Sequence, residues 1–155
     1  MDQGVRKPIG IALWETTQLV MRAFDKVLAE HGGNRPVWFV FLALDRAGHA
    51  TQRQLAQAIG ISEATLTHHL SALEKRGLVT RQRDEYDRRV QRIAFTTEGR
   101  AAFAAMLAAA IDLDSRLRGS LGSNGVASLL AGLSTLAQAV ATPGEEPPSV
   151  PPPVS

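Results

Sequence analysis

Twelve residues near the middle of the chain, Leu55-Ala56-Gln57-Ala58-Ile59-Gly60-Ile61-Ser62-Glu63-Ala64-Thr65-Leu66, narrow the possible folds more than any other stretch. Two short helices that cross steeply need a small residue where they touch, and Ala56 supplies it. The turn between them needs a backbone position that tolerates positive φ, which Gly60 provides. Ile61 is an aliphatic plug for the corner, Ser62 an N-cap for the second helix, and Leu66 its first inward-facing residue. Each feature alone is common; together, at these offsets, they predict a helix–turn–helix. Just upstream, Thr51-Gln52-Arg53-Gln54 is a T-x-x-Q capping box that opens the first of the two helices.

On a helical wheel of residues 62–76 the faces separate. Leu66, Leu70 and Leu73 share the inward stripe, while Ala64, Thr67, His68, Ser71 and Lys75 point roughly opposite, with Ala72 alongside. In a helix presented this way the N-terminal half meets base edges, so Ala64, Thr67 and His68 are the candidate base readers. Ser62 and Ser71 are candidate phosphate contacts, as are Thr51, Gln52 and Arg53 at the start of the preceding helix. Lys75 completes the set on the second helix. A plain solvated helix face carries the same residue types; the motif around it is what favours a nucleic-acid surface.

Residues 79–83 and 90–96 read as two strands around the polar tip Asp84-Glu85-Tyr86-Asp87-Arg88-Arg89. From Lys75 to Arg92 there are seven Lys/Arg against three acids, a local excess of four positive charges. A two-stranded ribbon with a basic tip can lay arginine into a minor groove. Arg83, Asp87, Arg88 and Arg89 are therefore the candidate wing residues, and Asp87 is placed to hold the Arg89 guanidinium in a bidentate orientation. Taken alone, the tip reads better as a solvated turn with an incidental ion pair. Directly after a helix–turn–helix, it reads as a wing.

The remaining periodicity is mostly helical. Ile9, Leu13, Thr17, Val20, Phe24 and Val27 recur at steps of three and four, which predicts one long amphipathic helix over residues 8–30, stopped by His31-Gly32-Gly33. Residues 37–44 are apolar on all sides, and follow a proline suited to a helix first turn. Helix and buried strand both fit that run. An alanine-rich helix is expected over 97–118, then a loop over 119–125, then a last helix carrying Val126, Leu129, Leu130, Leu133, Leu136, Ala137 and Val140. Residues 143–155 hold six of the eight prolines and no aromatic, the composition of a disordered, polyproline-like tail. The expected fold class is mainly α with a small β-hairpin wing (α+β): a winged helix–turn–helix over about 36–97 within a single domain, 1–142.

Composition excludes several function classes. There is no cysteine, which removes disulfide scaffolds, thiol catalysis, thiol redox sensing and cysteine-bound zinc. There is no Gly-rich phosphate loop, nucleophile elbow or spaced His/carboxylate constellation, so the chain does not read as an enzyme. The formal charge is +2, with a pI of about 9.5. Residues 1–15 lack a secretory pattern, and the longest apolar runs fall short of the ~18–20 residues that span a bilayer. A soluble, cytoplasmic protein with no membrane partner is expected.

These residues resemble the MarR-type winged-helix regulators. The motifs that match are the segment 55–66, the run Leu73-Glu74-Lys75-Arg76-Gly77-Leu78-Val79, the wing Asp87-Arg88-Arg89, and Ile93-Ala94-Phe95-Thr96-Thr97-Glu98-Gly99-Arg100. With the helical order, the likeness covers about 9–141. It implies a homodimer built on long helices at about 8–31 and 97–141, bound to a pseudo-palindromic operator in double-stranded DNA. It also implies an Arg89 in the minor groove braced by Asp87. Most such proteins are repressors released by a small molecule, often an aromatic acid or phenolic, held between the dimer helices and the DNA-binding lobe. Trp14 and Trp38 fall near that pocket, and Arg22 is a candidate carboxylate anchor. His68 stands where relatives commonly carry arginine. A winged-helix interaction or architectural module without sequence-specific DNA binding is the alternative.

The four histidines, His31, His49, His68 and His69, do not read as a metal site. Neighbours on a helix diverge by ~100°, so His68 and His69 do not readily share one ion. His69 lies beside the apolar stripe, and His31 suits the negative end of a helix. No metal and no cofactor are expected.

Overall fold

In the computed structural model the described residues are 7–48, 50–84, 87 and 90–141. The expected first helix is α1, Ile9–Glu30. The all-apolar run that fitted helix or strand lies in a helix, α2, Arg35–Ala47. Local chemistry explains that outcome: the Asn34 side chain accepts a hydrogen bond from the Val37 amide at 3.0 Å, and Pro36 occupies the first turn. Val37, Trp38, Val40, Phe41, Leu42, Ala43 and Leu44 are all buried, because α2 is surrounded by the rest of the fold.

Aromatic rings tie α2 to its neighbours. Trp38 meets Phe24 of α1 edge-on at 5.7 Å, and Phe103 at 5.8 Å. Phe41 lies 5.1 Å from Phe95, which stacks on Phe103 at 5.7 Å. Such pairs add about 0.5–1.5 kcal/mol each beyond simple burial.

The helix–turn–helix is α3, Gln52–Ile59, and α4, Glu63–Lys75. Both halves of the capping box form, with the Thr51 hydroxyl accepting from the Gln54 amide and the Gln54 side chain accepting from the Thr51 amide. Gly60 takes the left-handed conformation, φ 76°, ψ 32°, and Ala56 is buried at the crossing. Ser62 caps α4 by accepting from the Thr65 amide at 3.1 Å.

The hairpin has one more strand than its sequence announces. Strands β2, Val79–Arg83, and β3, Gln91–Phe95, pair antiparallel with Val79 opposite Phe95 and Arg83 opposite Gln91. A two-residue strand, β1, Ala50–Thr51, adds to the far edge of β3, giving the order β1-β3-β2. Two residues are too few to display a strand's alternation. The expected 90–96 strand ends at Phe95 because Thr96 turns to cap the next helix, accepting from the Gly99 amide at 2.9 Å.

The expected loop over 119–125 is not observed. Helix α5, Thr97–Val140, runs through this stretch and is interrupted at one residue, Gly122, whose φ of 66° and ψ of 169° are non-helical. A residue without a Cβ can absorb the whole change of direction, so the flanking serines, asparagine and glycines stay helical despite low propensity. The tail, 143–155, and the wing-tip residues Arg88 and Arg89 lie outside the described residues.

Candidate nucleic-acid interface

Leu66, Leu70 and Leu73 are fully buried, so the inward stripe of α4 is as expected. Each such burial is worth about 1.5–3 kcal/mol and fixes the helix rotation. Ala64, Thr67, His68 and Lys75 consequently emerge on the exposed face, with Ser71 half-buried at its margin. His69 is half-buried, its ring 6.0 Å from that of His68. Among the described residues, no group of histidines and acids is arranged to hold a metal ion.

Several of the predicted polar residues are engaged inside the protein. The Ser62 hydroxyl accepts from the Thr65 amide and shares a hydrogen bond with the Thr65 hydroxyl. Ser71 accepts from Arg81 Nη2 at 3.3 Å, while Arg81 Nε lies 3.2 Å from the Glu74 carboxylate. That Nε–H points off the carboxylate, so the contact is an ion pair rather than a hydrogen bond. Arg81 thereby fastens the wing's first strand to α4. The far end of α4 is anchored too, by Arg76 Nη2 donating to the Gly32 carbonyl at 2.6 Å.

Gln52 differs from its expected role as a backbone contact. Its side-chain nitrogen donates to Thr67 Oγ1 at 2.5 Å and to the Glu63 carbonyl at 3.2 Å. An amide nitrogen has two hydrogens, so neither is left for a phosphate. Thr51 keeps its hydroxyl proton, and Arg53 is exposed with no ion pair among the described residues.

Arg83 is exposed on the wing. At the tip, the Asp87 amide donates to Asp84 Oδ1 at 3.0 Å, and Asp84 also pairs with Arg92. Asp84 was no candidate in the sequence, yet it organises the turn: its amide and the Val90 carbonyl close the hairpin at 2.9 Å. With Arg89 outside the described residues, its contact with Asp87 is not among these observations.

The three pocket candidates are not brought together within the chain. Trp14 is 64% exposed and shares a shallow groove on α1 with Glu15, Gln18, Leu19 and Arg22. Trp38 is 6% exposed and sits in the core between Phe24 and Phe103. An aromatic on the all-buried helix satisfies the core before it can line a cavity.

Among the described residues, the exposed large hydrophobic side chains fall on two elements. Ile9, Ile11, Trp14 and Leu19 are on α1; Ile111, Leu117, Leu121, Leu129, Leu130, Leu133 and Val140 are on α5. No helix among the described residues is long and apolar enough to cross a membrane.

Comparison with known proteins places this geometry. A model of the MarR family matches residues 31–90, which contain the helix–turn–helix and the first strand of the hairpin. The transcriptional repressor CouR, solved on a 23-mer DNA duplex, is 30% identical, with 88% of this chain and 98% of that chain covered and a TM-score of 0.72. A mutant of MarR from E. coli complexed with operator DNA is 23% identical over 83% of this chain and 93% of its own, with a TM-score of 0.69. A mutant of S. aureus MepR, 18% identical, covers 87% of this chain and all of its own at a TM-score of 0.78, a likeness of fold. The mostly helical fold with its small three-stranded antiparallel wing matches the fold of these structures, and the chain belongs to the MarR family of winged-helix transcriptional regulators.

Proposed function

We propose that this chain is a dimeric, sequence-specific DNA-binding repressor that a small molecule, of the aromatic-acid or phenolic kind, releases from a pseudo-palindromic operator. The observation that carries the reading is the exposed face of α4. It presents Ala64, Thr67, His68 and Lys75 above a fully buried leucine stripe, next to an arginine-rich wing fastened to the same helix by Arg81. A face of small polar residues and cations suits base edges and phosphates. A protein-binding face would instead expose aromatics. The 30% identical repressor bound to a DNA duplex supports the same assignment.

The apolar surface supports the dimer. Every exposed large hydrophobic residue among the described ones is on α1 or α5, and a second copy of those helices is what would cover them. The DNA-binding part, about 36–97, would then hang from dimerisation helices at about 8–31 and 97–141. In the effector step, Arg22 would anchor a carboxylate beside Trp14 in the α1 groove. No cofactor enters the scheme, and the cytoplasm is its compartment.

In vitro selection from random duplexes tests the reading, followed by anisotropy titrations on the winning sequence at two salt concentrations. A palindrome with half-sites about one helical turn (~34 Å) apart, bound far more tightly than random DNA, is the expected result. Salt-sensitive but sequence-blind binding would replace the regulator with an architectural protein.

A further inference from the structure

The hydrogen bonds around Thr67 decide what this residue can offer a base. Its hydroxyl gives its single proton to the Glu63 carbonyl at 2.8 Å. One of its two lone pairs accepts from the Gln52 amide, which also braces the same Glu63 carbonyl. A threonine hydroxyl has one hydrogen and two lone pairs, so Thr67 retains one lone pair and its methyl group for the outside. It has no donor left. We infer that Gln52 is a positioning residue for sequence recognition, which holds Thr67 in the major groove as an acceptor and methyl reader. The inference rests on the reading of α4 as the base-contacting helix.

The chemical consequence is a preference at one base pair of each half-site. In the major groove guanine offers only acceptors, N7 and O6. Adenine and cytosine offer an amine donor, and thymine its C5-methyl. A freely rotating hydroxyl serves donors and acceptors alike. Locked between Gln52 and Glu63, Thr67 rejects guanine and favours an exocyclic amine or a thymine methyl. Gln52 reaches Thr67 from the first turn of α3, so the lock also holds the starts of the two helices in register.

The test is in vitro selection and binding titration with the full chain, Gln52→Leu, Thr67→Val and the double variant, each checked by thermal melting. The unaltered chain should select a palindrome that disfavours guanine at one pair per half-site. Gln52→Leu should relax that pair alone by about threefold to tenfold, the value of one hydrogen bond, with the salt slope unchanged. Thr67→Val should keep any thymine preference and lose any preference for an amine. Gln52→Leu added to Thr67→Val should change nothing further, because no hydroxyl remains to be held. Should Gln52→Leu not fold, Gln52→Met, closer in length, takes its place. The inference is overturned by an unchanged selected sequence in the Gln52 variant. It is also overturned by a uniform loss of affinity with a shallower salt slope, which marks a phosphate contact, or by independent effects in the double variant. If the unaltered chain selects no sequence, sequence-specific binding itself fails, and the role of Gln52 fails with it.

Discussion

Gly99 offers the sharpest stability test of this packing. Alanine in place of a helical glycine ordinarily stabilises, by about 0.5–1 kcal/mol, because less backbone entropy is lost on folding. At Gly99 the sign should reverse. A Cβ there would stand 1.7 Å from the Leu78 carbonyl oxygen and 2.7 Å from its carbon. A carbon–oxygen contact needs roughly 3.3 Å, so the start of α5 would have to withdraw by about 1.5 Å. The obstacle is backbone and cannot rotate aside. Withdrawal strains the Thr96 amide bond to the Leu78 carbonyl, 3.2 Å, and the Thr96 hydroxyl bond to the Gly77 carbonyl, 2.6 Å.

Two weakened hydrogen bonds at about 0.5–1.5 kcal/mol each, with about 1–3 kcal/mol of overpacking, outweigh the propensity gain. A net loss of about 3 kcal/mol is expected, or a Tm lower by roughly 6–12 °C for a chain of this length. Urea unfolding at fixed protein concentration measures it, since association makes stability concentration-dependent. Gly119→Ala is the control, because a Cβ there meets nothing within 4 Å and its helical neighbours Ser115 and Arg116 are polar. It should stabilise by up to about 1 kcal/mol. If Gly99→Ala stabilised to the same degree, the close approach of α5 to the strand start would be refuted.

Other perturbations address DNA binding and assembly. Arg89→Ala should lower operator affinity with little change in melting temperature; unaltered titrations would remove the wing from the interface. His68→Ala should change the selected sequence more than it changes binding to random DNA, and an identical selected sequence would show that His68 reads no base. Arg53→Ala should weaken every duplex about equally and reduce the salt slope by roughly 1, as loss of one phosphate contact requires. Leu130→Glu, on the exposed apolar face of α5, should shift sedimentation toward monomer, whereas a persistent dimer would place the interface elsewhere.

How far the sequence could be read depended on how far apart the interacting groups are along the chain. The capping box of Thr51 and Gln54, the left-handed Gly60, the Ser62 cap and the Leu66–Leu70–Leu73 stripe were all legible, because each involves groups within about one or two helical turns. The family's motifs begin in the same stretch and continue to Arg100, so the fold was legible with them. Tertiary structure alone decided the rest. Strand β1 exists only because Ala50 and Thr51 find the free edge of β3, more than forty residues away. Trp38 went to the core rather than to Trp14 and Arg22, since α2 is enclosed on every side. The 119–125 stretch stayed helical, with low local propensity overridden and the break confined to Gly122. Gln52 read as a contact to the DNA backbone, and its amide instead became the partner of Thr67 once Gly60 had folded α4 back across α3. Local hydrogen bonds and periodicity are written in neighbouring residues; a side chain's partner across the fold is set by where the backbone brings it.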